Sequence, residues 1–228
     1  MAQVKPNTTI REYQQFVQDV YGLSNSRYFS LQDMLVNIER FVTRGMKGIR
    51  KRDDQKTKLN LMIALSWFMS MQNQLHIDIE DEVFNRFPYV CSYCALCPCA
   101  CKAQKVQERR FITVDQEKRP KTLEEFQKMF NAIYPASSRT LDHAGVHLAE
   151  EMGEIAEAVL IYRGGHGDRD FENVMLECAD FVSCLMGVFN SLGINLAKEL
   201  SVEFSENCHV CKKAPCQCNF NTIMQFKS

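Results

Sequence analysis

Glycine and proline are scarce in this chain, 10 and 6 of 228 residues, and tryptophan occurs once. Runs that alternate apolar and polar residues are hard to find, which argues against a β-sandwich or barrel. Apolar residues recur instead at helical spacing over long stretches, so the expected fold class is all-α. Neither sign of charge is in excess: 27 basic and 28 acidic residues leave a net charge of −1. No global field therefore points to nucleic acid or to an anionic membrane as a partner. No apolar run reaches the roughly 18 residues of a membrane span. Met1–Ile10 lacks a charged start followed by an apolar core, does not read as a secretory signal, and leads to an expected cytoplasmic location.

Cysteine is abundant, with eleven residues, and the absence of a signal turns the expectation from disulfides to metal thiolates. Cys91, Cys94, Cys99 and Cys101 read C-x2-C-x4-C-x-C, and Cys208, Cys211, Cys216 and Cys218 repeat the pattern at an offset of 117 residues. Upstream, Leu75–Ile79 stands where Leu192–Leu196 stands later, and Thr9-Ile10-Arg11-Glu12-Tyr13-Gln14 resembles Thr122-Leu123-Glu124-Glu125-Phe126-Gln127 at an offset of 113. The later copy thus carries four extra residues near Pro135–Asp142. Each leading Thr has Glu three residues on, a capping-box pattern. The chain reads as a tandem duplication: 1–103 and 122–218 as the repeats, 104–121 as a polar linker and 219–228 as a loose tail. In the second repeat four helices are expected near 122–134, 142–162, 170–191 and 195–204.

Each cysteine cluster offers four thiolates in a short loop with no open position, the pattern of a structural Zn²⁺ site. An iron–sulfur cluster, or disulfides and free thiols, are the other readings. Cys97 has Ala214 as its counterpart and His209 has Ser92, so neither is expected to be a ligand. Cys178 and Cys184 read as small core residues.

The second repeat also carries acids in a pattern. Glu151 and Glu154 lie three apart and share a helix face, with Glu157 a turn further on, and Glu177 and Asp180 do the same on the next helix. If the helices pack antiparallel, four carboxylates meet at the edge of a core. Unpaired burial of such a group is costly, and a hard divalent cation, Mg²⁺ or Mn²⁺, resolves it. The first repeat supplies an internal control: Met34, Asn37, Asn60 and Ile63 stand at those four positions. Acids that merely solvate a helix would give way to other polar residues, whereas two of these are apolar.

Glu150-Glu151-x-x-Glu154 followed by Glu177-x-x-Asp180 resembles the EExxE…ExxD signature of the MazG-type all-α nucleotide pyrophosphohydrolases, which include dimeric dUTPases, dCTP pyrophosphatases and phosphoribosyl-ATP pyrophosphatase. The resemblance covers about 120–218 well and 8–101 without the acids. It implies two four-helix units forming a pseudo-dimer, of which only the second is active. It also implies hydrolysis of a (d)NTP to (d)NMP and pyrophosphate, for nucleotide-pool control or defence. Glu151, Glu154, Glu177 and Asp180 would ligate catalytic Mg²⁺, and Glu150 would orient the attacking water or hold a second metal. Arg163, Arg169 and Lys198 are the candidate phosphate-binding cations. The basic run Arg44, Lys47, Arg50, Lys51 and Arg52 reads as a solvated turn, with a reach toward the substrate as the other reading. Assembly into homo-oligomers, as a dimer of tandem chains, or into a larger complex is implied as well. A non-catalytic nucleotide-sensing or scaffold subunit is the alternative function.

Overall fold

The computed structural model describes residues 2–226. Every regular element among them is helical. α1 (Ile10–Tyr28), α2 (Leu31–Lys51) and α3 (Asp54–Leu75) precede the short α4 (Ile79–Arg86), the first cysteine loop and a single turn, α5 (Cys101–Gln104). A 3-10 turn (Gln116–Lys118) leads to α6 (Leu123–Ile133), and a second (Ala136–Ser138) to α7 (Leu141–Gly165). α8 (Asp168–Leu192), α9 (Leu196–Glu203), the second cysteine loop and α10 (Phe220–Gln225) complete the chain.

Side chains written into the sequence set the helix ends. Thr9 accepts from the Glu12 N–H while Glu12 returns a bond to the Thr9 N–H, a complete capping box, and Ser30 with Asp33 forms another. Thr122 accepts from the Glu125 N–H, but Glu125 turns to the Lys121 N–H at 2.6 Å, so that box is not reciprocal. The glycines at 164 and 165 do not break α7, which runs through both; His166 closes it in the left-handed conformation, and Gly167 opens α8.

The chain forms two compact units, and neither is a consecutive half. One joins residues 2–78 to 196–226, and the other is Ile79–Asn195. The expected boundaries at 103 and 122 are therefore corrected: α4 and the first cysteine loop belong with α6–α8, and α9 and the second loop belong with α1–α3. Sequence similarity says which segments are alike, not which pack together, and alike segments bury alike surfaces in either pairing.

Both units use the same contacts. In the first, Gln14 Nε2 donates to Asn73 Oδ1 (3.0 Å) and the Ile77 carbonyl (2.7 Å). In the second, Gln127 Nε2 donates to Asn190 Oδ1 (3.0 Å) and the Ile194 carbonyl (2.8 Å). The Cys216 N–H bonds the Val20 carbonyl in one unit, and the Cys99 N–H bonds the Ile133 carbonyl in the other. In the first unit α2 and α3 form a close hairpin, where a Cβ on Gly48 would lie 2.8 Å from the Thr57 backbone nitrogen. In the second, α8 is the central helix, packed by α4, α6 and α7. α8 is long and apolar enough, by length and composition, to cross a membrane, yet 61% of that stretch is buried.

The expected linker and the expected loose tail both make specific contacts. Arg119, within the expected linker, bridges Glu80 (3.1 Å) and Asp81 (2.5 Å) of α4. In the expected tail, Asn219 caps α10, Phe220 stacks on Phe29 at 5.7 Å, and Phe226 lies 6.4 Å from Phe41. Arg40 donates to the carbonyls of Met224 and Phe226, and Arg44 donates to that of Phe226. The aromatic residues of this tail find partners in Tyr28 and Phe29 at the end of α1 and in Phe41 of α2, which its polar neighbours concealed. Residues 227 and 228 of that expectation lie outside the described residues.

Candidate metal sites

Each cysteine loop brings its four sulfurs together, with all ligand atoms of a group within 4.8 Å of one another. The closest Sγ–Sγ separations are 3.6 Å (Cys91–Cys101) and 4.0 Å (Cys94–Cys99) in the first, and 3.5 Å (Cys208–Cys216), 3.8 Å (Cys211–Cys216) and 3.9 Å (Cys208–Cys218) in the second. Four sulfurs about 2.3 Å from a tetrahedral ion lie about 3.8 Å apart. A disulfide would need about 2.05 Å, and all eleven cysteines are free thiols. Both groups could hold a metal such as zinc.

Backbone N–H groups point at the sulfurs from matching places: Tyr93 to Cys91, Ala100 to Cys94, Val210 to Cys208 and Gln217 to Cys211, all at 3.4 Å. Such donors favour thiolate. Burial pushes the Cys94 thiol up, but the Ala100 and Leu96 N–H groups, together with hydrogen bonds from Cys101 and Cys91, bring the group down to about 7. The hydrogen bond with Cys216 leads in drawing Cys208 down to about 4. Cys97 is exposed and outside its group. His209 is also outside, its Nδ1 3.1 Å from the Tyr21 hydroxyl.

A third group lies in the second unit, where α7 supplies Glu151 and α8 supplies Glu177 and Asp180, with ligand oxygens all within 4.8 Å. The three side chains are half-buried. Burial, with the charges of Asp180, Glu154 and Glu177, pushes Glu151 up to about 8. Burial, with Asp180 and Glu154, pushes Glu177 up to about 7. Glu151 Oε2 is buried with no hydrogen-bond partner. An orphaned carboxylate oxygen beside two more acids is a donor set that fits a hard divalent cation.

The expected site residues divide. Glu154 is exposed at the rim but bonded to Glu177. Glu150 is exposed, does not join the group, and pairs with His147 at 3.0 Å. The helix turns about 100° between 150 and 151, which sends the two acids to different faces. Arg163 lies twelve residues along α7 from Glu151, about 18 Å, and Arg169 eight residues before Glu177, about 12 Å, and both are exposed. Lys198 is on α9, in the unit without the acids. Cys184, expected to be plain core, has its Sγ 3.8 Å from Glu151 Oε1.

Two cations escaped the sequence reading. Arg86, the last residue of α4, grips Asp180 with both oxygens engaged: Nε to Oδ1 at 3.1 Å and Nη2 to Oδ2 at 2.7 Å. Burial works against its charge, but Asp180 and then Glu177 hold its pKa up. Arg139, in the four-residue insertion, lays its guanidinium across Gly187, where any Cβ would collide with it. Its Nε is buried without a partner, and its charge acts on Cys184. The acids near Arg86 in sequence, Glu80, Asp81 and Glu82, belong to its own helix and say nothing of Asp180; the signal in the sequence was its mismatch with Glu203 in the other repeat.

The corresponding positions of the first unit are closed. Met34, Asn37, Asn60 and Ile63 are all buried, and the two Asn amides donate to carbonyls of their own helices, Asp33 and Lys56. A cavity beside Ile63, Trp67 and Phe226 encloses about 70 Å³, too little for a nucleotide. No family model, no curated protein and no solved structure matches this chain.

Proposed function

We propose that the chain is a Mg²⁺- or Mn²⁺-dependent nucleotide pyrophosphohydrolase, a hydrolase of phosphoric anhydrides that splits a (d)NTP into (d)NMP and pyrophosphate. The observation that carries this reading is the convergence of Glu151, Glu177 and Asp180 around the unpartnered Oε2 of Glu151. The EExxE…ExxD resemblance to the MazG-type enzymes supports it. Glu151, Glu177 and Asp180, with Glu154 at the rim, would hold the ion. When bound, the ion polarises phosphoryl oxygens and lowers the pKa of a coordinated water. Glu151 and Glu177 give up their protons as the ion arrives, and the apolar packing of α7 on α8 fixes their separation.

The two units are MazG-like copies that exchange their fourth helix and cysteine loop, a covalent pseudo-dimer. The matched Gln–Asn pairs and the matched Cys N–H bonds to Val20 and Ile133 support that arrangement. The exposed Val146, Leu160 and Ile161 of α7 support assembly of this unit with a second chain. Nucleotide-pool control or defence in the cytoplasm is the setting this chemistry suits.

A panel of NTPs and dNTPs with Mg²⁺, scored for pyrophosphate release, tests the reading. At least one should be hydrolysed, and Glu151→Gln or Asp180→Asn should abolish the reaction. Binding without turnover across the panel would favour the sensing alternative, and activity persisting in both variants would put the site elsewhere.

A further inference from the structure

We propose that Arg86 is a built-in second cation of the acid site, holding Asp180 while offering its remaining N–H groups to the polyphosphate anion that arrives with the metal. The proposal rests on the reading of the acids as a divalent-ion site.

The geometry supports it first. Nε and Nη2 are taken by Asp180, and the side chain is only 9% exposed. Nη1 makes no hydrogen bond to protein among the described residues, so its two N–H donors and the second N–H of Nη2 remain for an oxyanion. The fork is fixed by its bidentate pair, which leaves little ordering cost when an anion joins it.

Charge supports it next. Glu151, Glu154, Glu177 and Asp180 together bring four negative charges when ionised, and a single divalent ion cancels only half. A polyphosphate adds more. The site therefore needs a further positive charge to accept its ligand, and Arg86 is the basic residue touching the acids. It occupies the role that a second divalent ion would fill in a four-carboxylate site.

The duplication supplies the control. Arg86 corresponds to Glu203, and Asp180 corresponds to Ile63. The first unit fastens α9 and the residue after it by a different pair, Lys58 of α3 with Glu199, and by Phe204 packed on Tyr13 and Phe16 at 6.0 and 5.9 Å. Where the acids are gone the arginine is gone as well, and the pair that fastens the fourth helix there involves other positions.

Full-length protein and its Arg86→Gln and Arg86→Lys variants test this by titration with Mn²⁺ alone, and then with inorganic tripolyphosphate at saturating Mn²⁺. Arg86→Gln removes a positive neighbour of the ion and a competitor for Asp180. Mn²⁺ alone should then bind as tightly as in the parent or several-fold tighter, and tripolyphosphate about tenfold or more weaker. Arg86→Lys keeps the charge but not the fork, and should fall between. A parallel loss of both affinities would make Arg86 a mere holder of Asp180, and unchanged tripolyphosphate affinity would equally overturn the proposal. If Arg86→Gln does not fold, Arg86→Lys carries the test, and parental tripolyphosphate affinity there overturns it. Failure of the parent protein to take up Mn²⁺, or unaltered uptake in Glu151→Gln, would instead remove the metal reading beneath it.

Discussion

Glu151 and Glu177 carry carboxyls raised from the ordinary 4.5 to about 8 and about 7, chiefly by burial and then by the acids around them. A carboxyl raised in the folded state binds its proton more tightly than in the unfolded chain. Its contribution to stability is full below about pH 4.5 and is lost as pH rises through 7 and 8. The metal-free protein should therefore melt at progressively lower temperature from pH 5 to pH 8.5. Saturating Mn²⁺ should reduce that fall, and its binding should release protons near pH 7. Glu151→Gln should flatten the dependence, and a parent whose melting point does not change over that range would contradict this account. The acids themselves were legible because their spacing places them on one helix face. Glu150 stands outside the group because adjacency in sequence is separation on a helix, and Arg86 was missed because its partner lies 94 positions away.

At the scale of elements, the two cysteine loops are alike in ligands, N–H donors and cis X–Pro bonds, Cys97–Pro98 and Ala214–Pro215. The purified protein should carry two equivalents of zinc by elemental analysis. Cys94→Ser and Cys211→Ser should each lose one and keep the other, and loss of both from a single change would show the loops to be interdependent. The loops were readable because ligand type and spacing are local. α10 was not: Phe220 and Ile223, with Phe226 just after them, look unremarkable until the chain returns to the end of α1 and to α2. Truncation after Asn219 should destabilise the first unit by about 1–3 kcal/mol, the value of partly burying three large apolar side chains, measured by denaturant unfolding of the truncated and full chains.

For the whole molecule, the division into units gives a direct test. Residues 79–195 form one contiguous segment that contains the acids, Arg86 and a complete cysteine loop. Expressed alone, that segment should be helical, melt cooperatively and bind one zinc, whereas residues 104–218 should not, since they lack α4 and the first loop. The reverse result, by circular dichroism and zinc content, would restore the consecutive halves. Sequence by itself determined the helical class, the two four-cysteine sets and the pairing of acids on each helix, because periodicity and spacing are properties of neighbours along the chain. Only the tertiary structure decided which copy of the fourth helix completes which unit and which arginine reaches Asp180. Segments with similar apolar faces are not told apart by burial alone, and the observed pairing is the one that brings Arg86, rather than Glu203, to Asp180.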